Sequence, residues 1–140
     1  MKVLIDTNVV LNKLLKQLDF YTGSNSIFTL AETGYITGFI SASAITDIFY
    51  IAGKSLGKKG AREAIRKMLK IFHPATVTGE DIYKALELEW NDFEDSVQFV
   101  IGESLSVDYI ITRNTKDFSS SSIPVLTPEQ FIQAITGIEE

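Results

Sequence analysis

Lys2-Val3-Leu4-Ile5-Asp6-Thr7-Asn8-Val9 opens the chain with a short apolar run that stops abruptly at an acid. Residues 2–5 are of strand length, and Val9, Leu11, Leu14, Leu15 and Leu18 then recur at helical spacing, so a buried strand is followed at once by a helix. The same alternation continues downstream. Residues 26–35 predict a second helix, 36–40 a short strand between glycines, and 44–52 a third helix. Gly57 separates that helix from a basic one whose apolar side is Ala61, Ile65, Met68, Leu69 and Phe72, and Pro74 stops it. A strand at 75–77 precedes a helix capped by Thr78 and carrying Ile82, Ala85, Leu86 and Leu88. Asp92 is placed to cap the next helix, which turns Val97, Val100, Ile101 and Leu105 inward. Strands at 109–112 and 124–126 follow. Thr127-Pro128-Glu129-Gln130 then combines a capping box with proline at the first helical position. Short apolar strands alternating with helices imply an α/β fold of three layers, with a central, mostly parallel sheet of four to five strands flanked by helices on both faces.

The 140 residues, 45% of them hydrophobic, are read as one domain, 1–140, able to bury a substantial core. No apolar run approaches membrane-spanning length and no apolar leader precedes Lys2, which predicts a soluble, cytoplasmic protein. With no cysteine and only His73, disulfides and thiolate zinc sites are excluded, and any metal must be held mainly by oxygen. The net charge of −5 is unevenly distributed: residues 54–70 hold seven bases against Glu63 alone, leaving six bases and seventeen acids elsewhere. Two interpretations of this segment stay open. It is either a solvated helix face or a phosphate-contacting surface, for which Lys54, Lys58, Lys59, Arg62 and Arg66 are the RNA-contact candidates.

In open parallel sheets the ligand site lies beyond the carboxyl ends of the strands. Asp6 follows the first strand directly. Asp47 lies near the start of the helix after the second, Asp95 in the first turn of the helix before the fourth, and Asp117 just beyond the fourth. Carboxylates gathered at one end of a sheet repel one another unless a cation neutralises them. Hard oxygen ligands favour Mg²⁺ or Mn²⁺, one ion or two, a donor set suited to phosphodiester chemistry. Glu94, one residue before Asp95, is expected to point elsewhere. Asp92 reads as a cap, Trp90, Phe93, Phe99 and Phe118 as core or interface, and His73 as a helix-end residue.

Residues 3–9, Asp92-Phe93-Glu94-Asp95 at a helix start, and Tyr109-Ile110-Ile111-Thr112-Arg113-Asn114-Thr115-Lys116-Asp117-Phe118 together resemble segments of the PIN-domain family, in matching order and spacing over nearly the whole chain. The resemblance implies a PIN-like fold and metal-dependent endoribonuclease activity, often as the toxin of a VapC-like toxin–antitoxin pair. It implies catalytic acids at Asp6, Asp47, Asp95 and Asp117, metal ligands at Asp6, Asp95 and Asp117, and supporting roles for Asn8, Thr112 and Asn114. An antitoxin partner and a homodimer are implied in the same way. Two positions depart from the family pattern: Asp47 stands where glutamate is usual, and Asn114 where aspartate often follows Thr-Arg. They motivate one alternative, a catalytically impaired PIN-like module that binds RNA or protein. A haloacid-dehalogenase-type phosphatase also places an Asp after its first strand but needs a second Asp two residues on, where this chain has Asn8.

Overall fold

The computed structural model describes residues 1–137. Its elements in chain order are β1 (Lys2–Ile5), α1 (Thr7–Leu14), α2 (Leu18–Glu32), β2 (Thr37–Ser41), α3 (Ala42–Met68), β3 (His73–Ala75), α4 (Gly79–Leu88), α5 (Phe93–Leu105), β4 (Tyr109–Ile111), a 3-10 turn (Thr115–Phe118), β5 (Val125–Leu126) and α6 (Pro128–Thr136). All five strands pair in parallel, in the order β3-β2-β1-β4-β5. The chain builds outward from β1 through β2 to β3, then crosses back to lay β4 on the other side of β1. The order therefore reverses between β1 and β4, and a crevice opens beyond their carboxyl ends.

Alternation along the strands sorts side chains onto two faces. Val3, Ile5 and Ile111 enter one core with Val9, Val10, Ile27, Phe28, Ile48 and Phe131, while Leu4 and Ile110 enter the other with Ala85, Val97, Val100, Ile101 and Phe118. Helices α1, α2, α3 and α6 thus cover one face and α4 and α5 the other, the three layers expected. Each buried aliphatic side chain contributes about 1.5–3 kcal/mol on leaving water. Caps delimit the helices as anticipated: Thr78 with Asp81 and Thr127 with Gln130 form capping boxes, and Pro128 stands in the first turn of α6.

Three local expectations are corrected. The leucine periodicity does not carry one helix to residue 18. Gln17 N donates to Asn12 O, Asn12 Nδ2 to Gln17 Oε1 at 2.5 Å, and Lys16 takes φ +50°, so the chain turns and Leu18 opens α2, 91% exposed. The second helix consequently begins eight residues earlier than its own apolar pattern suggests. The third strand is at 73–75, not 75–77, so His73 begins a strand instead of ending a helix. Pro74 is tolerated because β3 is an edge strand, where a missing N–H breaks no ladder on its free side. Gly57 does interrupt the third helix: at φ 74°, ψ 166° it breaks α3 into two arms, a conformation essentially reserved for glycine.

Candidate metal centre

Asp6 ends β1 and caps α1, and 6% of it is exposed. Its Oδ1 accepts from Thr7 N at 2.8 Å and from Gln98 Nε2 at 3.3 Å, and its Oδ2 from Thr112 Oγ1 at 2.7 Å and Asn8 Nδ2 at 3.4 Å. Thr112 leaves the end of β4, so the strand reversal itself brings these residues together; Asp6 N also donates to Ile111 O at 2.9 Å. Asn8 Oδ1 accepts from Arg113 N at 3.2 Å, and Thr112 Oγ1 accepts from Asn114 N at 3.1 Å. Asn114 therefore supports the site through its main chain, which any residue supplies, so its departure from aspartate leaves this contact intact.

Asp95 stands in the first turn of α5, its N–H bound by the cap Asp92 at 3.0 Å. Burial, reinforced by Asp6, Asp92, Asp117 and Glu94, pushes its carboxyl up to about 7. Burial likewise raises Asp6, more than the Thr112, Thr7 and Gln98 hydrogen bonds lower it. Glu94 is raised by burial, then by Asp47, Asp6 and Asp92. Glu94 thus belongs to the acidic field it was expected to avoid, and it is the acid that senses Asp47. Asp47 itself is exposed on α3, and Asp117 is exposed on the 3-10 turn, close enough to raise Asp95. The structure joins Asp6, Asn8 and Thr112 by direct bonds, sets Asp95 and Asp117 within electrostatic reach, and leaves Asp47 at the margin. Leu88, Trp90, Asp92, Lys116, Asp117 and Ser119 line a hollow of ≈ 340 Å³ at this end of the sheet. Larger hollows, of ≈ 550 and ≈ 860 Å³, lie between α1, α2 and α3 and between α2 and α6, so size does not locate the chemistry.

Whether these residues suit a cation follows from their charges. No basic side chain pairs with Asp6 or Asp95 among the described residues, and every donor is a hard oxygen. Carboxylates held together against their own repulsion are stabilised by a divalent ion, so the donor set fits Mg²⁺ or Mn²⁺. Among the described residues no group of three acids closes into a ready-made cage. Mg²⁺ typically retains several waters and takes one or two carboxylates, so a site built on Asp6 and Asp95 needs no third acid.

Two residues outside the predicted site build it. Gln98, 2% exposed, reaches Asp6 from α5 one turn beyond Asp95. Arg113 binds Asn12 Oδ1 through Nε at 3.1 Å, Phe20 O through Nη2 at 2.9 Å and Glu129 through Nη1, and its guanidinium lies 4.8 Å from the Phe20 ring centroid. It pins α1, α2 and α6 to the segment after β4. The only sequence signal for Gln98 is a polar residue on a face that is otherwise apolar. Of the four aromatics read as core or interface, Phe99 and Phe118 are buried and Trp90 packs on both, whereas Phe93 is 43% exposed.

The PIN domain family profile matches residues 2–116, which spans β1 through the start of the 3-10 turn and takes in Asp6, Asn8, Asp95, Gln98 and Thr112. The chain belongs to the PIN-domain family. Ribonuclease VapC1 of Aquifex aeolicus (strain VF5) is 26% identical over 137 residues, covering 94% of each chain. Among solved structures, VapBC2 from Rickettsia felis bound to a promoter DNA fragment is similar at TM-score 0.68 and 19% identity, covering 90% of this chain and 97% of that one. Mycobacterium tuberculosis VapC20, described as a Sarcin-Ricin loop cleaving toxin, is similar at TM-score 0.68 and 13% identity, covering 86% and 95%. Membership in the PIN-domain family sets aside the haloacid-dehalogenase alternative. Asn8, where that chemistry needs a second acid, here donates to Asp6.

Proposed function

We propose that this PIN-domain protein, residues 1–140 acting as one domain, is a divalent-metal-dependent endoribonuclease and the toxin of a toxin–antitoxin pair. The observation that carries the proposal is the hydrogen-bonded Asp6 carboxylate at the β1/β4 crevice with Asp95 beside it. The relatives named as a ribonuclease and as a Sarcin-Ricin loop cleaving toxin support the substrate class.

Asp6 and Asp95 would hold Mg²⁺ or Mn²⁺, with Asp117 adding negative charge beside Asp95, and the bound ion would supply Lewis acidity toward a phosphodiester. The protein's own residues do the rest. Thr112, Asn8 and Gln98 fix the Asp6 oxygens. Glu94 and Asp47 add negative charge at the margin. Lys54, Lys58, Lys59, Arg62 and Arg66 are all exposed on α3 on either side of Gly57, and the Arg62 guanidinium lies 5.5 Å from the Phe49 ring centroid, tying the basic arm to the arm that carries Asp47. We assign this surface to RNA phosphates. The VapBC2 complex and a toxin–antitoxin complex from Klebsiella pneumoniae, similar at TM-score 0.66, support an antitoxin partner for this chain. A homodimer and a cytoplasmic site of action complete the proposal. No described helix is long and apolar enough to cross a membrane.

Incubating purified protein with a mixed structured RNA pool in Mg²⁺ or Mn²⁺, in EDTA, and as the Asp6→Asn, Asp95→Asn double variant tests the assignment. Cleavage that requires metal and vanishes in the variant supports it. Metal-replete wild type that binds RNA and leaves it uncut would overturn it in favour of a binding module.

A further inference from the structure

We propose that Gln98 is a positioning residue of the cation site, orienting Asp6, the residue after β1, relative to Asp95 of α5. The inference rests on the metal-site assignment above and extends it to a residue outside the acidic set.

Asp6 and Asp95 come from separate elements, and no hydrogen bond joins them. Gln98 is the side chain of α5 that bonds Asp6, and it lies one helical turn after Asp95, on the same side of the helix. At Asp6 Oδ1 the remaining donor is the neighbouring Thr7 N, which belongs to Asp6's own cap and carries no information about α5. The apolar core packs α5 on the sheet, and this amide is the side-chain link that aims an Asp6 oxygen relative to the helix that carries Asp95.

The environment shows that placing an amide here has a cost. Residues 95–102 of α5 are buried throughout, and an apolar side chain of the same length would fill the position without a polar requirement. The nitrogen must face Asp6, since an amide oxygen there would repel the carboxylate. That orientation leaves Oε1 buried with no hydrogen-bond partner among the described residues. Burying an unpaired acceptor is unfavourable, so the fold tolerates a cost at Gln98 for what its nitrogen does.

The test measures Mn²⁺ binding by electron paramagnetic resonance of free Mn²⁺, with the melting temperature in EDTA as a second readout, on wild type, Gln98→Met, Gln98→Asn and Asp6→Asn. Methionine keeps the volume and removes both polar atoms, and asparagine keeps the amide but shortens its reach. The expected result is a Kd for Mn²⁺ raised about tenfold or more in both Gln98 variants, the usual scale for losing a group that orients a ligand. Metal-free Gln98→Met loses a bond to a buried carboxylate and should melt below wild type, so the Mn²⁺ Kd, measured where the variant is fully folded, is the readout that separates positioning from packing. If Asp6→Asn loses Mn²⁺ while both Gln98 variants bind within about twofold of wild type, Gln98 has no such role and the metal site stands. If wild type binds no Mn²⁺, or Asp6→Asn binds it equally well, the metal site falls and the role of Gln98 falls with it. Should Gln98→Met not fold, Gln98→Asn decides by the same criterion.

Discussion

Thr112 Oγ1 donates to Asp6 Oδ2 at 2.7 Å, joining the ends of β4 and β1 across 106 positions of sequence. The same hydroxyl accepts from Asn114 N and, at 3.5 Å, from Asn8 Nδ2, so one fully buried group orients the acid and the loop after it. A hydrogen bond to a charged group contributes about 1.5–3 kcal/mol. Thr112→Val, nearly isosteric, is expected to lower RNA cleavage at least about tenfold, and Thr112→Ser to retain most of it. Equal rates for Val and Ser would show that the hydroxyl is dispensable.

Asp95 makes the metal-free protein sensitive to pH. Its folded value of about 7 lies above its ordinary 3.8, so between these limits the folded state binds more protons than the unfolded one. The resulting stability is fully present below about pH 4 and is lost as pH rises through about 7, and raised Asp6 and Glu94 act in the same direction. In EDTA, melting is expected to be several degrees lower at about pH 8 than at about pH 5.5, with Asp95→Asn flattening the slope. A wild-type melting temperature that holds level or climbs over that interval contradicts this account.

Arg113 is mostly covered, with 13% of its side chain exposed, whereas its partner Glu129 is 56% exposed. The pair itself is therefore screened and is expected to couple by no more than about 1 kcal/mol in a double-mutant cycle. Loss of the bonds to Asn12 and Phe20 matters more. Arg113→Ala should cost about 1–3 kcal/mol, and Arg113→Lys should not restore it, because an ammonium cannot span three elements in one plane. Denaturant unfolding of the four proteins of the cycle and of the lysine variant measures both quantities.

At Gly57 a methyl group would meet no neighbour, so the effect of Gly57→Ala comes from the backbone alone. A side chain at φ 74°, ψ 166° is strained by about 1–3 kcal/mol. The expected outcome is a lower melting temperature with the acidic centre unaffected. An alanine variant as stable as wild type would mean that the two arms of α3 do not need this turn.

Lys59, Arg62 and Arg66 are exposed at helical spacing on the second arm of α3. If they contact phosphates, changing all three to Gln should weaken RNA binding and flatten its logarithmic salt dependence by about 0.7 for each single-strand phosphate that is no longer neutralised. Titrations at several salt concentrations will show this. An unchanged slope would identify the arm as a solvated surface.

Local chemistry is what made much of the protein legible. A strand ending in Asp6-Thr7-Asn8, the caps at Thr78, Asp92 and Thr127, and the break at Gly57 each depend on neighbours a few residues away. The alternation of strand and helix then leaves few arrangements other than a parallel sheet in three layers, and the acids after the strands follow from that topology. Leu18 shows where such reasoning ends: its spacing continues the apolar stripe of α1, yet an Asn12–Gln17 contact turns the chain and leaves it in water.

The remaining features depend on which distant segments meet. Gln98 touches Asp6 from 92 positions away, and Arg113 reaches Asn12 over 101. Periodicity assigns Gln98 to a buried face of α5 without naming what lies opposite. Glu94 joins the acidic field because the packing of α5 brings it near Asp6 and Asp47, although its place in the sequence suggests the reverse. Elements arise from short-range steric and hydrogen-bonding rules that a local stretch satisfies alone. A site arises from the reversal of strand order that sets β4 beside β1, and its contacts exist only once the layers have packed.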